Sequence, residues 1–179
     1  MNSVKSGKIR PKALLDDIRH DVSEILRIHF TERIDHQAFQ KDKKVLAFWA
    51  AECAGHVLPY FEEKYSGDDR PKKAIEACRH WAETGVFRMA DIRKASLEAH
   101  AAAKEVKEPD AAFAAHAAGQ AVATAHVPTH ALGCAVYAIR AAAAHSGNTD
   151  DGLIKERSWQ LQRLRRIIED HNQVGSGQD

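Results

Sequence analysis

Between Ala99 and Ala144, 20 of the 46 residues are alanine. Alanine is a poor strand residue and the best helix former, and it loses almost no side-chain entropy when it is ordered. It also buries little apolar area, so an alanine-rich helix gains stability mainly by lying close to its neighbours. The stretch therefore predicts an all-α fold. We read a single-domain bundle of about six to seven helices with an alanine-rich centre, in which Gly119 and Gly133 mark the tightest crossings. The large side chains that fill the remaining core come from elsewhere: Trp49, Phe61, Trp81, Phe113, Tyr137 and Trp159.

Helix signals divide the chain. Residues 12–30 carry Leu14, Leu15, Ile18, Val22, Ile25 and Leu26 at three-to-four spacing, one amphipathic face, and a polar connector follows to about residue 42. From Val45 a broad apolar stripe runs to Phe61, with Pro59 expected to kink it. The best-marked element is "DDRPKKAIEACRHWAETG": Asp68 or Asp69 can cap it, Pro71 suits its first turn and Gly85 can close it. A fourth helix ends before Pro109, which starts a fifth. Pro128 either begins a sixth or kinks a long one. "HSGNTDDG" is a loop, a last amphipathic helix follows, and residues 172–179 read as a disordered tail. The expected division is thus 1–42, 43–171 and 172–179.

Composition excludes some functions. The net charge is +1 with histidine neutral, which argues against a nucleic-acid binder. The uncharged run from Ala111 to Ile139 is too polar, with His116, Gln120, His126 and His130 inside it, to face lipid. No membrane role is expected. Cys53, Cys78 and Cys134 lack any metal-type spacing and fit buried thiols in a reducing, cytoplasmic setting. Nucleophile signatures and glycine-rich phosphate loops are absent from the sequence, so no catalytic residue and no cofactor is assigned.

Two groups of side chains could carry chemistry. His126 and His130 are four apart; on one continuous helix they would stack and could share a metal, with His100 or His116 as a third ligand. The competing reading is a network in which the imidazoles hydrogen-bond to Gln120, Thr124 and Glu76 and fix helix register. The second group, Arg70, Glu76, Arg79 and His80, could bind a carboxylate or phosphate through its guanidinium groups, or form an ordinary solvated face.

Five stretches in order carry a resemblance: "LAFWAAECAGHVLPYFE", "DDRPKKAIEACRHWAETG", "RKASLEAHAAAKE", "AAGQAVATAHVPTHALGCAVYAIRA" and "ERSWQLQRL". Together, over roughly residues 43 to 168, they resemble the immunity-five-like family of bacterial polymorphic toxin systems. The resemblance implies a small cytoplasmic all-α protein, non-enzymatic, that binds and occludes a cognate toxin domain. Trp49, Arg70, Pro71, Arg79, Trp81, His100, His126 and His130 match recurrent positions of the family pattern, and all but Pro71 become the candidate binding residues; Pro128 departs from it. The alternative carried forward is a small-molecule- or metal-binding helical protein, even an enzyme, using the histidine cluster. A homodimer is compatible with either.

Overall fold

The computed structural model describes residues 16–22, 24 and 36–175, with side chains in the last span described for residues 43–171. From residue 36 onward the chain forms seven helices: α1 (His36–Val57), α2 (Pro59–Glu62), α3 (Arg70–Thr84), α4 (Met89–Glu105), α5 (Pro109–Ala123), α6 (His130–His145) and α7 (Asp150–Gly175). No strand occurs among the described residues. The all-α expectation holds.

The alanine helices form the centre. Helix α5 packs against α1, α2, α3, α4 and α6, and nine of its fifteen residues are buried, seven of them alanine or glycine. So many neighbours can crowd one helix only because its side chains are small. Trp49 and Phe61 are fully buried beside it and Trp81 nearly so, while Phe113, Tyr137 and Trp159 pack from the edge. The expected close approaches at Gly119 and Gly133 exist, but what approaches is a side chain. A Cβ at Gly119 would lie 2.9 Å from the His100 ring, and one at Gly133 would lie 2.8 Å from Gln120 Oε1.

The punctuation follows local chemistry. Pro59 cannot donate a backbone N–H, so α1 stops at Val57 and a single turn, α2, restarts at Pro59. At α3 the Arg70 amide donates to Asp68 Oδ1 at 3.1 Å, and Gly85 closes the helix at φ 71°, a left-handed conformation that costs glycine little. Pro109 opens α5.

Two boundaries differ from the sequence reading, and at Pro128 the first of its two alternatives, a separate sixth helix, holds. The segment read as a polar connector is helical from His36, because nothing in "HQAFQKDKK" breaks a helix. Helix α7 runs to Gly175, into the expected tail. Between α5 and α6 the chain leaves the helix over residues 124–129. Pro128 disfavours helical geometry at Val127 and clashes with the carbonyl one turn back, so the two helices cannot fuse. Of the N-terminal amphipathic stretch, residues 16–22 are helical, with Ile18 and Val22 buried and Asp17 and Asp21 paired with Arg157 of α7. Leu14, Leu15, Ile25, Leu26 and His29 lie outside the described residues.

Candidate functional site

Helices α4, α5 and α6 together expose a strip of half-buried polar rings. The α4 residue His100 faces His116 of α5 with the two Nδ1 atoms 2.8 Å apart. One turn along α5, Gln120 Oε1 accepts from His130 Nδ1 of α6 at 2.7 Å. Tyr137 packs against His116 with ring centres 4.9 Å apart, and the Arg140 guanidinium lies 4.0 Å from the centre of the Phe113 ring. The strip exists because Gly119 and Gly133 leave room for the imidazole of His100 and the amide of Gln120.

All three rings are held neutral. Burial pushes the His116 imidazole down to about 4, helped by its electrostatic coupling to His100 and by the positive charges of Lys104 and Arg140. Burial likewise lowers His100, with Lys104 and His130 adding to it, and lowers His130, with His126 adding to it. Neutral rings bonded to one another and to an amide are satisfied groups that fix helix register.

His126 is not part of this network. It sits exposed on the turn after α5, while His130 opens α6, so the two do not stack on one helix face as their spacing suggested. Glu76 is also exposed and away from the strip, and Thr124 donates to the Gln120 carbonyl within its own turn at 3.2 Å. Among the described residues no group of three or more His, Cys, Asp or Glu could hold a metal ion.

A second set of polar pairs, built from residues of α1, α2, α5, α6 and α7, was missed by the sequence reading. Glu156 is 3% exposed. Its Oε2 lies 2.7 Å from His56 Nδ1, and its Oε1 accepts from Gln160 Nε2 at 2.9 Å. The His56 ring stacks on Trp159 at 3.8 Å. Asp110 repeats the arrangement: it binds Lys64 at 2.5 Å and His145 at 3.0 Å, and His145 stacks on Tyr60 at 4.0 Å. The hydrogen bond from Glu156 raises the His56 pKa against the opposing effect of burial. Burial pushes Asp110 up, but its bonds to Lys64 and His145 outweigh that and hold the carboxyl low. A signal did exist. Glu156 and Gln160 continue, at four-residue spacing, the apolar stripe of Leu164 and Ile168, and a polar residue on a buried stripe needs a partner.

The remaining candidates separate. Trp49 is fully buried and donates its indole N–H to the Gln160 carbonyl at 2.8 Å; Trp81 is 5% exposed. Both are packing residues. Arg70 forks onto Asp68 (2.6 Å) and Glu105 (2.5 Å), tying the start of α3 to the end of α4. Arg79 lies 3.5 Å from Glu52, whose other oxygen meets Arg163 at 3.3 Å. Each guanidinium already holds a carboxylate, and the two belong to different ion pairs. The three cysteines are free and buried. Burial raises all three thiols, that of Cys78 to about 12.

The surface has one unusual region. Among the described residues six large hydrophobic side chains are exposed, and five of them, Val86, Phe87, Met89, Leu97 and Val127, belong to the α3–α4 connection, the first half of α4 and the α5–α6 turn. The sixth, Ile154, is on α7. A groove of about 300 Å³ adjoins the cluster at Met89 and Leu97, lined also by Ile92, Arg93, Ser96, Ala123 and His126.

Residues 36–167 match the family described as "Imm-5 like putative immunity protein". The chain belongs to that family. No curated protein and no solved structure matches it. The family region takes in α1 to α6 and most of α7, and with them the histidine strip, both carboxylate–histidine pairs and the apolar cluster. The docked N-terminal stretch at residues 16–22 precedes it. The resemblance read from five stretches of the sequence is thus upheld. Among the described residues, no helix is long and apolar enough to cross a membrane.

Proposed function

We propose that this protein is an immunity factor that binds a cognate toxin domain in the cytoplasm and blocks it by occlusion, with no chemistry of its own. The observation that carries the reading is the gathering of Val86, Phe87, Met89, Leu97 and Val127 at one end of the bundle. Exposed large apolar side chains scattered singly need no explanation; five gathered in the α3–α4 connection, the first half of α4 and the α5–α6 turn are a concentration of the kind used for partners. Membership of an immunity-protein family supplies the class of partner.

The polar clusters support the same reading. His100, His116 and His130 are bonded among themselves and to Gln120, and Arg70 and Arg79 are engaged by carboxylates. Of the seven candidate binding residues, His126 is the one that lines the apolar groove. It is the candidate retained for contact with the toxin. The others act on the shape of the face that is presented.

The test is to mix the purified chain with the toxin domain encoded beside it and measure the mass of the product by light scattering. A one-to-one complex that survives dilution to nanomolar concentration is expected, as for a standard-sized interface of about 1,600 Å². Two separate species at micromolar concentration would refute the proposal.

A further inference from the structure

The apolar end of the bundle also carries more positive than negative charge. Arg88 and Arg93 are exposed on either side of Met89, and neither forms an ion pair among the described residues. Lys43 adds a third cation: its ammonium lies 5.8 Å from the centre of the Phe87 ring and 5.3 Å from that of Trp81. Against them stand Asp91 in the first turn of α4 and the exposed Glu83 in the last turn of α3, while Glu98 is taken up by Lys94 at 3.8 Å. Arg70, Arg79, Arg157 and Arg163 are held by carboxylates. Arg165 and Arg166 on α7 are exposed without an ion pair among the described residues, as Arg88 and Arg93 are, but Ile154 is the one exposed large apolar side chain described on that helix. Two free guanidiniums beside exposed Phe and Met side chains have the composition of an interface anchor.

We propose that this end docks an acidic amphipathic segment of the toxin. One apolar side chain of that segment enters the groove between α4 and the α5–α6 turn, and carboxylates flanking it pair with Arg88 and Arg93. This rests on the toxin-binding reading above and specifies the face and the partner's chemistry. The groove is open and of about 300 Å³, at the small end for a small-molecule site but ample for a single side chain. A planar guanidinium with no partner of its own donates to a carboxylate in two-point fashion, and two of them five residues apart, at the start of α4 and one turn into it, select for a segment with spaced acids.

The experiment uses the full chain and the toxin domain encoded beside it, titrated by calorimetry. Leu97→Lys and Arg93→Glu alter exposed side chains of the face, and Ile154→Lys alters an equally exposed side chain on α7. The expected result is a loss of affinity of about 30-fold or more for Leu97→Lys and about 10-fold or more for Arg93→Glu, with Ile154→Lys unchanged. Wild-type affinity should fall as salt is raised, and a toxin variant with a reversed acidic residue should recover binding to Arg93→Glu. If the wild-type chain binds the toxin and both face variants bind equally well, the docking face is wrong while toxin binding stands. If the wild-type chain does not bind the toxin at all, the toxin-binding reading falls and this proposal with it. A homodimer through Leu97 that the toxin fails to displace would also overturn it.

Discussion

The Nδ1 atoms of His100 and His116 lie 2.8 Å apart, so one ring must donate the proton and the other accept it. The pair cannot carry a proton on both Nδ1 atoms. This contact, with the His130–Gln120 bond beside it, makes the α4–α5–α6 face a set of neutral cross-links.

It follows that acid should loosen the bundle. His116 has a folded pKa of about 4 against an ordinary value of 6.5. The unfolded chain therefore binds protons that the native state refuses. Stability is unaffected above about pH 6.5 and falls as pH drops from there toward 4. Discounted for a half-exposed ring, the His116 share is about 1–2 kcal/mol. Urea unfolding between pH 4 and 8 should show this slope, and His116→Gln, which can still bond to His100 but cannot titrate, should flatten it.

His56 acts in the opposite sense. Its pKa is raised by Glu156, so its contribution is complete below the unfolded value of 6.5 and is lost as pH rises through the folded one. Replacing His56 by alanine strands a buried carboxylate, and we expect a cost of about 2 kcal/mol near pH 6. Thermal unfolding of the variant from pH 5 to 8.5 should lack the decline that this pair gives the wild type.

Gly119 offers a test by sign. Alanine in a helix interior is normally better than glycine by about 1 kcal/mol. Here a Cβ would meet three atoms of the His100 ring at 2.9 to 3.0 Å, so Gly119→Ala should instead cost about 1 kcal/mol by displacing His100 from His116. In a His100→Ala background the same change should become neutral or stabilising. A double-mutant cycle by chemical denaturation measures the reversal.

Trp49 was a candidate for binding and sits at 0% exposure with its indole N–H on the Gln160 carbonyl. Trp49→Phe should lower stability by about 1–2 kcal/mol through the lost bond and the space left behind. Toxin affinity per folded molecule should not change, which calorimetry below the melting temperature would check.

Much of the fold was legible because alanine content, Pro71, Gly85 and Pro109 act locally. The helix signals around α3 worked for that reason, and the start of α1 at His36 was missed because "HQAFQKDKK" tolerates helix and connector alike. The site was less legible. Glu156 and His56 stand 100 residues apart in sequence, and only the packing of α1 against α7 determines that they meet. His126 and His130 gave the opposite problem: their spacing implied a pair, but Pro128 between them ends the helix that would make the spacing meaningful. The apolar end was missed because no sequence pattern marks Phe87, Met89 and Leu97 as exposed, and exposure is a property of the assembled bundle.

The account holds that the protein acts by covering its partner and not by altering it. The most direct measurement is a titration of toxin activity against this chain at concentrations well above the dissociation constant. Activity should fall linearly to zero at one molecule per toxin, and toxin recovered after denaturing separation should have its original mass and regain full activity. Complete inactivation at a small fraction of one equivalent, or a toxin recovered with altered mass, would contradict it.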